Sequence, residues 1–215
     1  MTHATRFVAV AVLVALALCA PVQAQTPEID ALRARAGQGD ARAQSRLGNM
    51  YHYGEGVPQD DAEAVRWSRL AAEQGDAWAQ YNLGVMYTGG EGVPQDDAEA
   101  VRWYRLAAEQ GHADAQSELG VSYRIGEGVP QDYVQAHMWL NLAASRMTGE
   151  IQETAVRVGD PHDPRPLDKQ IRGRRAALDL TNTYLRLVAD ELTPDDLSDA
   201  QRLAREWDAA HPREP

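Results

Sequence analysis

Residues 43–78 read AQSRLGNMYHYGEGVPQDDAEAVRWSRLAAEQGDAW, and residues 79–114 read AQYNLGVMYTGGEGVPQDDAEAVRWYRLAAEQGHAD. The two stretches agree at 28 of 36 positions, which chance does not produce. Residues 115–145, AQSELGVSYRIGEGVPQDYVQAHMWLNLAAS, follow the same pattern, and Gly48, Gly84 and Gly120 mark the 36-residue period. A fixed period of this length signals stacked supersecondary units.

Each unit reads as two helices. Ala43, Leu47 and Tyr51 recur at spacing four and form one apolar stripe. Gly48 sits inside that first helix, where glycine costs about 1 kcal/mol against alanine; close approach of a partner helix is the reason to keep it. Gly54 is placed to end the helix in the left-handed conformation. Pro58 cannot continue a helix, and Asp60 is a good N-cap for the next one. The second helix buries Ala64, Trp67 and Ala71, and Glu73-Gln74-Gly75 closes it. Two helices this short cannot bury their faces alone. The expectation is an all-α, right-handed superhelical α-solenoid of two-helix repeats with helical caps. Gly39 falls one period before Gly75, so residues 25–42 read as an N-terminal capping half-repeat ahead of three repeats over 43–145.

Upstream, an apolar run from Phe7 to Leu18 follows a single arginine and leads to Val22-Gln23-Ala24. This is the layout of an export signal over residues 1–24, cleaved after Ala24, with a periplasmic or secreted destination. A retained anchor is opposed by Pro21 and the polar run after it. Lipidation at Cys19 is opposed by Leu18, where a small residue is needed. Cys19 is the one cysteine of 215 residues, so its removal leaves no disulfide, no thiolate ligand and no cysteine nucleophile.

Downstream, the period breaks after Ser145. Residues 146–170 read as an insertion, with a short helix over 146–158 and a proline-rich linker at GDPHDPRP, residues 159–166. Residues 171–215 read as C-terminal capping helices: helix returns near Asp168 and runs to Leu192, with Leu178, Leu185, Val188 and Leu192 on one face. Thr193 and Pro194 then open a last helix that buries Leu197, Ala200, Ala204 and Trp207. The expectation is that these helices cover the open end of the array.

The repeat pattern, with its A-x-x-x-L-G-x-x-Y and G-x-G-V-x-x-D followed by A-x-x-W-x-x-x-A-A, resembles the Sel-1-like repeat, a relative of the tetratricopeptide repeat, in a secreted bacterial form. The tail LTPDDLSDAQRLAREW, residues 192–207, is similar to the closing segment of many bacterial members. The resemblance implies an adaptor that binds a protein or peptide, with repeat residues that are mainly structural. A cysteine-rich branch of the family is linked to β-lactam binding or hydrolysis; the chain expected after signal removal has no cysteine, so that activity is not carried over.

Composition narrows the function further. Asp and Glu number 32 against 21 Lys and Arg, a formal net charge of −11, which disfavours nucleic acid and an anionic membrane surface. Lys169 is the one lysine and follows no glycine-rich loop, so no phosphate-binding motif is present and no cofactor is implied. No histidine pair stands at spacing four, and no Gly-x-Ser-x-Gly or Ser-x-x-Lys occurs. Asp160, His162 and Asp163 admit a metal reading or that of a solvated loop. Glu55/Asp60, Glu91/Asp96 and Glu127/Asp132 recur with the period, as turns and caps do, whereas a catalytic carboxylate pair is unique. Trp67, Trp103 and Trp139 also recur and read as core. His137 replaces a valine of the earlier copies and reads as exposed or hydrogen-bonded.

Partner-binding residues are sought among positions that vary between units on the exposed face of the first helices. These are Arg42, Arg46, Asn49 and Tyr53 in the first unit; Trp78, Tyr81 and Asn82 with Val85 in the second; and Asp114 and Glu118 with Val121 and Ile125 in the third. Trp78 replaces Arg42 and precedes Asp114, so the scaffold does not need it, and exposed aromatics and arginines are common binding hot spots. The same side chains could equally contact the N-terminal half-unit or the C-terminal helices. The functional expectation is a non-catalytic protein- or peptide-binding scaffold of the cell envelope, with no metal. The alternative is an envelope hydrolase acting on β-lactam or cell-wall compounds.

Overall fold

The computed structural model describes residues 27–158 and 167–212. The expected signal segment, the linker over 159–166 and its Asp160, His162 and Asp163 lie outside the described residues. Within them the chain forms nine helices and no strand: α1 (Pro27–Gly37), α2 (Ala41–Tyr53), α3 (Asp61–Glu73), α4 (Ala77–Gly89), α5 (Asp97–Glu109), α6 (Ala113–Ile125), α7 (Tyr133–Val158), α8 (Leu167–Ala189) and α9 (Pro194–Ala210). Consecutive helices from α1 to α8 pack in order, which is an α-solenoid.

The repeated letters set the repeated geometry. Gly54, Gly90 and Gly126 end the first helices with φ of 68°, 67° and 78°, each donating its N–H back to the helix. The Asp60 carboxylate accepts from the N–H groups of Ala62 and Glu63, and Asp96 does the same for Ala98 and Glu99. Helix against helix, a Cβ on Gly48 would lie 2.5 Å from Ser68 Oγ, one on Gly84 2.5 Å from Tyr104 Cε1, and one on Gly120 2.7 Å from Leu140 Cγ. The small residue is therefore what lets the two helices of a unit close on each other. Between units, Gly92 (φ +70°) lies against the backbone carbonyl of Asp61, and Gly128 (φ +69°) against that of Asp97. Each turn thus presses on the start of the preceding second helix.

A polar ladder runs through the stack. Gln44, Gln80 and Gln116 donate through Nε2 to the carbonyls of Ala36, Ala72 and Ala108 at 3.0, 3.1 and 3.1 Å. Gln74 and Gln110 then donate to Oε1 of Gln44 and Gln80 at 2.6 and 2.7 Å. A third bridge is missing: Arg146 stands where the next glutamine would, and Gln116 Oε1 has no hydrogen-bond partner among the described residues. Beside the ladder, Arg69 and Arg105 each donate to the hydroxyl of a tyrosine eighteen residues on, Tyr87 and Tyr123, at 2.8 Å. Leu47, Leu83 and Leu119, fully buried, form the centre of the core with Ala64, Ala100 and Ala136. Trp103 and Trp139 are buried with them, while Trp67 is half-buried under the Arg66 guanidinium, 4.2 Å from its ring.

Two expectations change, and the C-terminal cap gains its detail. Residues 146–158 are no separate short helix but the second half of a continuous 26-residue α7. The stop triplet Glu-Gln-Gly of the earlier units is replaced by Ser145-Arg146-Met147, and Met147, without glycine's freedom, is carried on into the core at 1% exposure. The C-terminal helices divide the capping between them. α8 stacks on α6 and α7 as a further first helix, with Ser117 Oγ 3.0 Å from Thr181 Oγ1. α9, capped by Thr193, returns to α7 and sets Trp207 edge-on against Trp139 at 5.7 Å. Finally, His137 is neither exposed nor satisfied: it is buried, and its Nδ1 has no partner.

Burial holds the His137 imidazole below its ordinary 6.5, so the fold favours the neutral ring. The stability carried by that neutral form is complete above pH 6.5 and is lost as pH falls below it, because the unfolded chain takes the proton first. His137→Val restores the residue found at Val65 and Val101 and removes an unsatisfied buried nitrogen. It should raise stability by about 1 kcal/mol at pH 7.5 and by more at pH 5.5, read as thermal unfolding at both. Gly92→Ala should cost at least ~2 kcal/mol, since it combines a left-handed backbone with a carbonyl in the way. Gly173→Ala, in open space on α8, should stabilise by roughly 0.5–1 kcal/mol.

Candidate functional site

The first helices α2, α4 and α6 present the variable side chains in register, one period apart. Their fates differ. Asn82 Nδ2 donates to Asn49 Oδ1 at 2.9 Å, so this pair ties α4 to α2. Asp114 accepts from Arg174 Nη1 at 2.6 Å, and Arg174 also donates through Nε to Glu150, which pins α8 onto α6 and α7. Tyr81 is half-buried, stacked on the His112 ring at 4.9 Å and 6.1 Å from that of Tyr104. Asn49, Asn82, Asp114 and Tyr81 are thus engaged within the chain. Arg46 turns to the open N-terminal end, where it lines a cavity of about 580 Å³ with Glu28, Leu32, Arg35 and Met50.

Five of the nine are exposed to solvent and have no hydrogen-bond or ion-pair partner among the described residues: Arg42, Arg46, Tyr53, Trp78 and Glu118. Tyr53 is 65% exposed and touches the His52 ring edge-on, with centroids 4.5 Å apart. Trp78 is 46% exposed and tilts over His112 at 5.2 Å.

His112 is a functional neighbour that the variable-position argument passed over. It stands where Asp40 and Asp76 cap the first two units, and its Nδ1 accepts from the Ala115 N–H at 3.3 Å. Capping through Nδ1 requires the neutral ring. Burial holds it below 6.5, Asp114 opposes that shift, and Arg174 reinforces it. The signal was present, as a lone histidine in an aspartate column. Arg174 had no such signal, because α8 lies outside the period.

The electrostatics of the face run in one direction. Arg42 lies at its N-terminal end, while Asp114 and Glu118 lie on α6. Although Glu118 reaches solvent, partial desolvation by the packing around it first, and the neighbouring Asp114 charge second, push its carboxyl above its usual range. The Tyr81 phenol is pushed up by burial and then by the charges of Asp114, Glu118 and Tyr53, with Arg174 opposing the shift. No group of three His, Cys, Asp or Glu side chains among the described residues is arranged for a metal ion, and no described helix is long and apolar enough to cross a membrane.

The Sel1 repeat matches the chain at residues 41–76, 79–112 and 113–146. A Sel1 repeat protein of Oxalobacter formigenes is 35% identical in sequence, with a TM-score of 0.52, over 69% of this chain and 99% of its own. The chain belongs to the Sel1 repeat family. It is also similar to a protective antigen present in uropathogenic Escherichia coli strains displaying an SLR fold, at 35% identity and a TM-score of 0.56. That match covers 86% of this chain and 41% of the antigen. No curated protein matches. Sel1 repeat proteins are generally protein-interaction scaffolds and typically non-catalytic.

For this Sel1 repeat chain the structure separates the two aromatic candidates energetically. Tyr53→Ala should leave the thermal midpoint within about 1 °C, since little area is lost. Trp78→Ala should cost roughly 1 kcal/mol through its His112 and Tyr81 contacts. Calorimetry of both variants at pH 7.5 checks the difference.

Proposed function

We propose that this Sel1 repeat protein is a non-catalytic scaffold of the bacterial cell envelope that holds a protein or peptide against its first-helix face. The observation that carries the reading is the pair of exposed, non-repeating aromatics, Tyr53 and Trp78. Exposed aromatics that the scaffold does not repeat are common anchors of binding surfaces, and rigid rings lose little entropy when a partner covers them. The repeated carboxylates fit a structural role: Asp60, Asp96 and Asp132 accept from backbone N–H groups at the starts of α3, α5 and α7. No observation favours the hydrolase alternative.

Export of the chain through residues 1–24 completes the reading. Its support is the apolar run before Ala24. Mass spectrometry of the protein recovered from the native host should find Gln25 at the amino terminus; retention of Met1 would reject export.

Affinity capture from the periplasmic extract of the native host tests the scaffold itself. The bait should retain a defined partner that the Tyr53→Ala/Trp78→Ala double variant loses by tenfold or more. Equal recovery with both baits would place binding elsewhere on the molecule.

A further inference from the structure

The first helices α2, α4 and α6 each lie between two second helices, but α8 does not. It packs on α7 and α6, and the chain then leaves it, because α9 returns to α7. One side of α8 is spent on that packing: Thr181 and Val188 are buried. The other side carries a stripe left in solvent. Ala176, Leu180, Thr183 and Leu187 are exposed at spacings of four, three and four, Leu180 by 54% and Leu187 by 48%. That is the spacing with which one helix packs along another. The two ends of the stripe carry opposite charge. Lys169 and Arg172 are exposed near the start of α8, and Asp190 and Glu191 are exposed in the turn just after it. Among the described residues none of the four has an ion-pair partner. Their signs are the reverse of what the helix dipole favours, so α8 alone gives no reason for them. Arg186, the basic residue of the last turn, instead folds back on the Asn182 carbonyl at 3.4 Å. Lys169 and Glu191 stand eleven residues, three helical turns, on either side of Leu180, in line with the stripe.

We propose that the outer face of α8 is a self-association surface, on which a second copy of this chain packs its own α8 antiparallel about Leu180. In that register Leu180 meets its counterpart, and Lys169 falls beside the partner's Glu191, twice over by the two-fold symmetry. A parallel pair would set like charges side by side, so the signs select the antiparallel one. A second copy fits this face better than an unrelated protein, because one helix holds both halves of the complementarity. Two chains of net charge −11 repel at long range, so the pair depends on these local contacts. The surface uses neither Tyr53 nor Trp78, and it stands whether or not those two residues hold a partner.

Sedimentation equilibrium tests the pairing on the protein purified as its native host processes it. Over concentrations from about 1 to about 200 μM it should resolve a monomer in exchange with a dimer. Leu180→Arg should leave a monomer over the whole range, with helical circular dichroism unchanged because the position is exposed. Leu70→Arg, at an exposed leucine of α3 away from the stripe, should leave the dimer as it was. Lys169→Glu and Glu191→Lys should each weaken the dimer about tenfold, since each breaks two pairs and sets like charges together. The two substitutions in one chain should restore it, which a misfolded variant would not do. A protein that stays monomeric throughout would overturn the proposal, and so would a dimer indifferent to Leu180→Arg. A dimer that the paired charge exchange fails to restore would overturn the antiparallel register on which the proposal stands.

Discussion

The architecture depends on one steric condition, that no side chain stands at Gly48, Gly84 and Gly120. The residues facing them differ in size: Ser68, Tyr104 and Leu140. The first helix closes on all three because its own surface is bare at that point. The roughly 1 kcal/mol of helix propensity forgone at each glycine is offset by the burial of Leu47, Leu83 and Leu119 that close packing allows. Once the pair is closed, its turn meets the preceding unit at Gly92 and Gly128, and stacking follows from the same geometry.

The glutamine ladder shows how the stack is kept in register. Each rung bonds one glutamine to a backbone carbonyl of the helix before it, and two rungs are bridged by a second glutamine. Buried amides accept few arrangements, so they specify the spacing between units more sharply than apolar contacts do. Where Arg146 interrupts the ladder, the chain also stops repeating. Arg146 turns instead toward the C-terminal helix, 5.2 Å above the Trp207 ring and 3.6 Å from Asp208.

What was legible in the sequence and what was not divide by distance along the chain. The caps, turns and inner glycines are local features written three times over, and periodicity made them readable. The long α7 is readable in principle from the absent Glu-Gln-Gly at 145–147, but a broken period does not by itself distinguish a broken helix from a prolonged one. His137 reads from its residue type as exposed or hydrogen-bonded, whereas its column, Val65 and Val101, is buried and holds it in the core. The candidate face fared likewise. Variation between units marked Trp78 and Tyr53. It could not reveal that Asn82 would meet Asn49, 33 residues earlier, or that Asp114 would meet Arg174, 60 residues later. Variable positions in a repeat serve both partners and caps, and only the fold tells the two apart.

The return of α9 to α7 has a kinetic meaning. From α1 to α7 the contacts join sequence neighbours, and loops of that kind close quickly at little entropic cost. Ser117 and Thr181 are 64 residues apart, and Arg146 donates to the carbonyl of His211 across 65. Repeats joined in this way can begin to form anywhere along the array, whereas the contacts of the last two helices need α6 and α7 to receive them.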